Sequence, residues 1–155
     1  MQIQLKRILA AVDFSDVTES VVRHGAELAR VFGAELVLCH IVDRGSLISQ
    51  IPPGGEGYLP PNLPQLQEDY ARDQVHQLQA RLGLPTLRLE VGHGAPYAEI
   101  IRIAKEGNFD LLLVGTHGRG AISHMLLGSC AERVVRHGPC PVLTIRSGSH
   151  EFVDD

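Results

Sequence analysis

The sequence contains no tryptophan and only 5% aromatic residues, and it has no basic tract. Its net charge is −4, so the electrostatic footprint of a nucleic-acid-binding protein is missing. The longest apolar runs have the size of strands and fall far short of the roughly 20 residues that span a bilayer. The apolar run after Lys6-Arg7 ends at Asp13, too early for a signal peptide. We therefore expect a cytoplasmic protein that does not insert into membranes.

Metal and thiol motifs are also scarce. The three cysteines form no CxxC pair, which predicts a reduced set with Cys39 and Cys140 as small apolar residues inside strands. The histidines form no HExxH motif and no His/Cys cluster. His117 and His124 flank a glycine-rich segment, and His93 lies at the end of an earlier strand, from which it could approach that segment. We expect no metal held by protein ligands.

Catalytic signatures are missing as well. There is no G-x-S-x-G elbow, and the last lysine is Lys105, so no Gly-Lys-[Ser/Thr] loop of the Walker type is present. No base that would activate water is evident. The sequence therefore does not support rapid hydrolysis of a bound nucleotide.

The sequence does contain an alternation of strand and helix patterns. A length of 155 residues with 44% hydrophobic and 21% charged residues indicates a single domain over 1–155. Apolar runs predict buried strands at 7–12, 35–42, 109–114 and 141–145, and an alternating pattern predicts a half-exposed strand at 86–91. Between them, residues 43–64 are rich in glycine and proline and predict a long flexible loop, and 147–155 form a polar tail.

Helical spacing predicts the four intervening helices. The first should begin with a capping pair at Asp16 and Glu19 and end at Gly33. The second carries apolar residues at Leu66, Tyr70, Val75, Leu78 and Leu82 and ends at Gly83. A turn at Gly92-His93-Gly94 should precede the third, which begins at Pro96 and ends at Gly107. The last starts at Gly128-Ser129 and stops at Gly138-Pro139.

This order predicts a doubly wound α/β sandwich with a five-stranded parallel sheet covered on both faces. In such folds the ligand binds beyond the carboxyl ends of the strands, where the strand order reverses. The first and fourth strands should flank that point, which would bring Asp13 and Gly115 to one crevice. A glycine segment after a buried strand and a glycine at a helix start favour a phosphate site there. A simple tight turn from Gly115 to Gly120 remains the alternative.

At fixed spacing these glycines carry a family resemblance. Gly115-x2-Gly118-x9-Gly128-Ser129 resembles the G-x2-G-x9-G-[ST] motif of the ATP-binding universal stress proteins. Residues 8–15 are similar to the opening strand and aspartate of that family, and residues 140–146 to its final strand. The resemblance implies strand order 3-2-1-4-5, in the adenine-nucleotide alpha-hydrolase-like, Rossmann-like group of three-layer sandwiches.

The resemblance also implies roles for individual residues. Gly115 and Gly118 would let the backbone wrap the triphosphate, and Gly128 and Ser129 would present N–H groups and a hydroxyl. Ser129 could also cap its helix. Asp13 would meet the adenosine end, or serve only as a turn former. The full implied nucleotide site is Ala11, Val12, Asp13, Ile41, Val114, Gly115, His117, Gly118, Arg119, Gly128, Ser129 and Cys130.

Within this set, Ile41 and Val114 would line an apolar slot for adenine or belong simply to the core. Arg119 is placed to reach the phosphates, although the motif does not fix that position. Without a Walker lysine, the site would depend on backbone dipoles and on Mg²⁺ held by the ATP phosphates.

As a function, the resemblance implies an ATP-binding stress-response regulator. It would act as a homodimer paired through its C-terminal edge strand, with a further protein partner that the sequence does not identify. Two alternatives stay open. One is a regulatory or scaffold module that binds no nucleotide. The other is a slow ATPase or a self-phosphorylating protein that uses Ser129 or a neighbouring hydroxyl.

Overall fold

The computed structural model describes residues 3–43, 45, 60–117 and 127–146. Within these residues, five strands alternate with four helices along the chain. The strands are β1 (Arg7–Ala11), β2 (Glu35–Val42), β3 (Arg88–His93), β4 (Leu111–Gly115) and β5 (Val142–Ile145). The helices are α1 (Thr18–Phe32), α2 (Leu63–Leu82), α3 (Pro96–Glu106) and α4 (Ser129–His137). Most of the expected 43–64 loop, together with the 147–155 tail, lies outside the described residues.

The five strands form one parallel sheet in the order β3-β2-β1-β4-β5, which confirms the predicted architecture. β1 is the middle strand, where Ala10 pairs with Leu38 on one side and with Leu113 on the other. The strand order reverses between β1 and β4. The carboxyl ends of these two strands therefore bound the crevice in which this class of fold binds ligands.

Alternation along the strands divides the core into two layers. Ile8 and Leu38 are fully buried on the face that α1 and α2 cover, and Val21 and Leu78 pack there. Leu9, on the opposite face, packs in the layer that includes α3 and α4. Burying an aliphatic side chain of this size contributes about 1.5–3 kcal/mol, so these two layers supply the main stabilisation of the sheet. They leave the strand ends available for function.

The helix ends follow the predicted glycine and proline positions. Gly33 and Gly83 end α1 and α2 with left-handed backbones, at φ 66° and 62°. Pro96 is the first residue of α3, where its missing N–H has no helical partner to lose. Gly107 closes α3, but the left-handed conformation falls on the next residue, Asn108, at φ 49°.

Two predicted boundaries at helix starts are wrong. Asp16 and Glu19 form no capping pair, because α1 begins at Thr18 and no side chain caps it at Val17. α2 begins at Leu63, so Pro64 lies in its first turn rather than in the preceding loop. Proline is tolerated at that position because the first helical N–H groups have no intrahelical acceptor.

Three further expectations need correction. Gly92 and His93 belong to β3, paired with Ile41 and Val42, and do not form a turn. Cys140 precedes β5 rather than lying inside it. Leu66 and Tyr70 are each 48% exposed, so the buried face of α2 is narrower than the apolar spacing indicated.

In the part of the chain that the structure describes, no helix is long and apolar enough to cross a membrane.

Candidate functional site

The end of β1 places a carboxylate at the crevice through a tight turn. The N–H of Val12 donates to the carbonyl of Cys39 at 2.8 Å, which carries the parallel pairing to the end of β1. Asp13 Oδ1 accepts hydrogen bonds from the Ser15 N–H at 3.0 Å, the Ser15 hydroxyl at 2.5 Å and the Thr18 hydroxyl at 3.3 Å. Asp13 therefore does form the turn. Its role toward a ligand stays a prediction.

An aromatic cluster that the sequence does not predict packs against the same turn. Phe14 has a left-handed backbone at φ 59°, which is uncommon for a bulky residue. Its ring lies 4.7 Å from the ring of His40 and 6.0 Å from that of Tyr70. His40 Nδ1 donates to the carbonyl of Val12 at 2.9 Å, since a carbonyl can only accept. These contacts link β1, β2 and α2 around the residue next to Asp13, and their partners are too distant in sequence for any local pattern to predict.

The end of β4 lies against the start of α1. A Cβ at Gly115 would lie 2.4 Å from Cγ1 of Val17, so this glycine is required by packing. Beyond it, the N–H of Thr116 donates to the carbonyl of Ile145 at 2.8 Å. The Thr116 hydroxyl contacts Nδ1 of His117 at 2.9 Å. Packing against Val17 is therefore enough to require a glycine at position 115, whether or not a phosphate binds there.

The start of α4 lies beside the end of β4. Gly128 is the N-cap of α4, and its N–H donates to the carbonyl of Thr116 at 2.6 Å. The N–H of Gly128 is therefore already hydrogen-bonded within the protein, and the role of this glycine toward a phosphate stays a prediction. Ser129 is an exposed first helical residue and no side chain caps α4, so the capping role expected of it is wrong.

The donors that remain lie one residue further on. The N–H groups of Ser129, Cys130 and Ala131 lie in the first turn of α4, where no helical carbonyl precedes them to accept. Aligned peptide dipoles add a partial positive charge at this end. The first turn of α4 is thus the element that suits an anion.

The end of β4 contacts both the start of α1 and the start of α4. Burial raises the pKa of the Cys130 thiol, the Asp13 carboxylate raises it further, and Arg133 lowers it. Cys39 lies deeper, where burial raises the pKa of its thiol most and Cys130 and Glu90 add to the effect. The Asp13 carboxylate is therefore within electrostatic range of Cys130 in the first turn of α4.

Apolar residues of the predicted slot share one face of the sheet. Val114 is 4% exposed and belongs to the core layer that includes α3 and α4. Ala11 and Ile41 are partly buried against that layer. The side chain of Val12 is buried in the opposite layer, so only its backbone can contribute to a site here. Val114 is a core residue in this structure, whereas Ile41 and Ala11 lie at the margin of the core.

The remaining predicted residues divide into two groups. Gly118, Arg119 and His124 lie outside the described residues. His93 does not approach the end of β4, because its Nε2 pairs with Glu68 of α2 at 2.9 Å and two strands separate β3 from β4. Among the residues that the structure describes, no group of three or more His, Cys, Asp or Glu side chains could hold a metal ion.

Comparisons with known proteins agree with this fold. A family model described as the Universal stress protein family matches residues 4–146. Universal stress protein A homolog 1 of Coxiella burnetii is 33% identical over 142 residues, covering 90% of this chain and 95% of the relative. The solved universal stress protein UspA from Lactobacillus plantarum has a TM-score of 0.73 and 28% identity, covering 94% of this chain and all of that one. A universal stress protein in complex with cAMP has a TM-score of 0.64 and 22% identity, covering 94% of this chain and 100% of that one.

Proposed function

Since the chain belongs to the universal stress protein family, we propose that it binds ATP in the crevice between the ends of β1 and β4. One observation carries this proposal: direct contacts join the turn at Asp13, the end of β4 and the start of α4. The Thr18 hydroxyl donates to Asp13 Oδ1 at 3.3 Å, and Gly115 packs against Val17. The Gly128 N–H donates to the carbonyl of Thr116 at 2.6 Å. In this proposal, the Asp13 carboxylate accepts a hydrogen bond from the base or the sugar, and the start of α4 binds the phosphates. That pairing of features suits a nucleotide better than it suits free phosphate.

Two groups of residues suit the two ends of the proposed nucleotide. Asp13, with Ile41 and Ala11 on the same side of the sheet, is suited to the adenosine end as a polar anchor beside an apolar wall. The first N–H groups of α4 and the Ser129 hydroxyl are suited to phosphate oxygens. Gly118 and Arg119 complete the proposed phosphate side in sequence.

Magnesium fits this site only as part of the ligand. The described residues include no carboxylate or histidine cluster for a metal, so Mg²⁺ would be held by the ATP phosphates. When bound there, the ion neutralises phosphate charge. In this proposal the described residues of the crevice bind and orient the nucleotide, and the sequence contains no catalytic signature for rapid hydrolysis. We therefore propose a nucleotide-dependent regulator of the stress response rather than an efficient ATPase.

The proposed regulator acts as a homodimer in the cytoplasm. β5 is an edge strand, and Leu143 on it and Val135 on the preceding helix are 38% and 47% exposed. An exposed edge with apolar side chains favours pairing with a second copy. The three cysteines are free thiols, which suits a reducing compartment. Sedimentation of Leu143→Glu against the wild type tests the dimer: a wild-type protein that sediments as a monomer contradicts it.

Release of bound nucleotide tests the ATP proposal directly. Purified protein is denatured, the supernatant is analysed by mass spectrometry, and refolded or nucleotide-stripped protein is titrated with ATP-Mg²⁺ by calorimetry. cAMP is titrated in parallel, because one solved relative of this fold is a complex with cAMP. Binding of ATP supports the proposal. Absence of both co-purified nucleotide and measurable ATP binding favours the alternative of a scaffold module without nucleotide.

Incubation with γ-labelled ATP separates binding from catalysis. We expect neither rapid release of labelled phosphate nor labelled protein. Label that becomes attached to wild type and is lost in Ser129→Ala would instead support a self-phosphorylating protein.

A further inference from the structure

Gly92 provides the space that Ile41 occupies. The two residues are direct partners in the pairing of β2 with β3. A Cβ built on Gly92 would lie 2.7 Å from Cδ1 of Ile41 and 3.1 Å from Oε2 of Glu99. Real Cβ atoms essentially never show the shorter distance, so Ile41 extends into the place that any other residue at position 92 would fill.

Of the two neighbours, Ile41 is the one that can move. Glu99 is fixed by Arg102, whose Nη2 donates to Oε2 at 2.8 Å, and it also accepts a hydrogen bond from the backbone of His93. Cδ1 of Ile41 is the far end of a flexible side chain, and Ile41 is only partly buried. Gly92 is buried within β3 and has no positive φ, so alanine there meets a steric contact without backbone strain.

The direction of that movement leads into the crevice. β2 lies between β3 and β1 in the sheet. A side chain on β2 that is displaced away from Gly92 is therefore displaced toward the end of β1, where Ala11 and Asp13 lie. Ile41 and Ala11 share the sheet face of the proposed adenosine site.

We infer that Gly92 is a specificity-determining residue of the nucleotide site, because its missing side chain lets Ile41 withdraw and leaves the slot open to a purine base. This inference rests on the proposed function. It assigns a role in ligand recognition to a residue on β3 that belongs to no part of the glycine motif.

Calorimetric titration of ATP-Mg²⁺ into Gly92→Ala tests the inference. We expect binding about tenfold weaker or more, the effect of one methyl group that enters an apolar pocket. Ile41→Val removes the Cδ1 methyl and is the matched control background for Gly92→Ala. In the double variant Gly92→Ala/Ile41→Val we expect the affinity of Ile41→Val alone, because the atom that would be displaced is absent.

A second measurement needs no ligand. The δ1 methyl of Ile41, labelled with ¹³C, should change its chemical shift in Gly92→Ala as the side chain changes rotamer. An unchanged methyl signal, or a Gly92→Ala protein that binds ATP as tightly as wild type, overturns the inference and leaves the proposed function intact. A wild-type protein that binds no ATP overturns the proposed function and the role of Gly92 in recognition together.

Discussion

Cγ1 of Val17 lies 2.4 Å from the point where the Cβ of a side chain at Gly115 would be, so the first glycine of the nucleotide motif is in contact with the start of α1. The glycine lets the end of β4 and the beginning of α1 approach each other. Asp13, between β1 and α1, is held in the same region by its hydrogen bond from Thr18. Packing and the proposed ligand recognition therefore depend on the same part of the chain.

Gly115→Ala should lower stability before it affects any ligand. Overpacking of this kind costs about 1–3 kcal/mol, and urea denaturation measures it. Val17→Ala removes the clashing methyl, so the same glycine substitution should cost less in the Val17→Ala background. Equal costs in both backgrounds would mean that Val17 is not the contact that excludes a side chain.

Asp13→Ala should weaken both the fold and ATP binding. The variant leaves the Ser15 and Thr18 hydroxyls without their acceptor, which we expect to cost about 1 kcal/mol, and it should reduce ATP affinity about tenfold or more. Asp16→Ala removes the same charge from an exposed neighbour that caps nothing, and it is the matched control. An Asp16→Ala protein that loses as much ATP affinity would show that only net charge matters.

Alkylation of Cys130 reports whether ligand occupies the crevice. Burial and the Asp13 carboxylate raise the pKa of Cys130, so its reaction with iodoacetamide should be slow at neutral pH and accelerate in alkaline solution. Added ATP-Mg²⁺ should slow it further. Cys140, before β5 at the other end of the sheet, serves as an internal control whose rate should not change. Equal protection of both cysteines would indicate a global effect instead of a local ligand.

Asp110 should make the protein sensitive to acid. Its carboxylate accepts the N–H groups of Lys6 and Arg7 at 2.8 and 2.9 Å, and these bonds hold its pKa below the ordinary value. The stabilisation is therefore present above the unfolded pKa of about 3.9 and is lost as the pH falls through the lower folded value. The difference in urea midpoint between wild type and Asp110→Asn should shrink from pH 7 to pH 3. A constant difference would contradict this, and Asp16→Asn controls for charge.

Periodicity and glycine positions were sufficient to predict the parallel sheet and most helix ends, whereas the full strand order came from the family resemblance. The four apolar residues 36–39 inside the run 35–42 are all buried, as expected of a strand covered on both faces. The alternating pattern predicted a half-exposed strand, and β3 lies at the edge of the sheet. The fold was predictable because each local pattern agreed with the others.

The site was less predictable, because its details depend on which hydrogen-bond donor pairs with which acceptor in the folded chain. The motif placed Gly128 beside a phosphate, but the carbonyl of Thr116 accepts its N–H. The spacing between Asp16 and Glu19 predicted a cap for the first helix. Instead, Asp13 accepts a hydrogen bond from the hydroxyl of Thr18, five residues later. Phe14, in the turn after β1, contacts His40 of β2, and Gly92 of β3 pairs with Ile41 of β2. Only the folded sheet brings these residues together.

The 2.6 Å hydrogen bond between Gly128 and Thr116 joins the chain at the base of the segment between them. The distance between the end of β4 and the start of α4 is therefore set by a direct bridge and not by the number of intervening residues. Relatives with longer or shorter connections could present the same anion site if they keep this bridge. A search by fixed glycine spacing would overlook such proteins, whereas a search by the geometry of the bridge would find them.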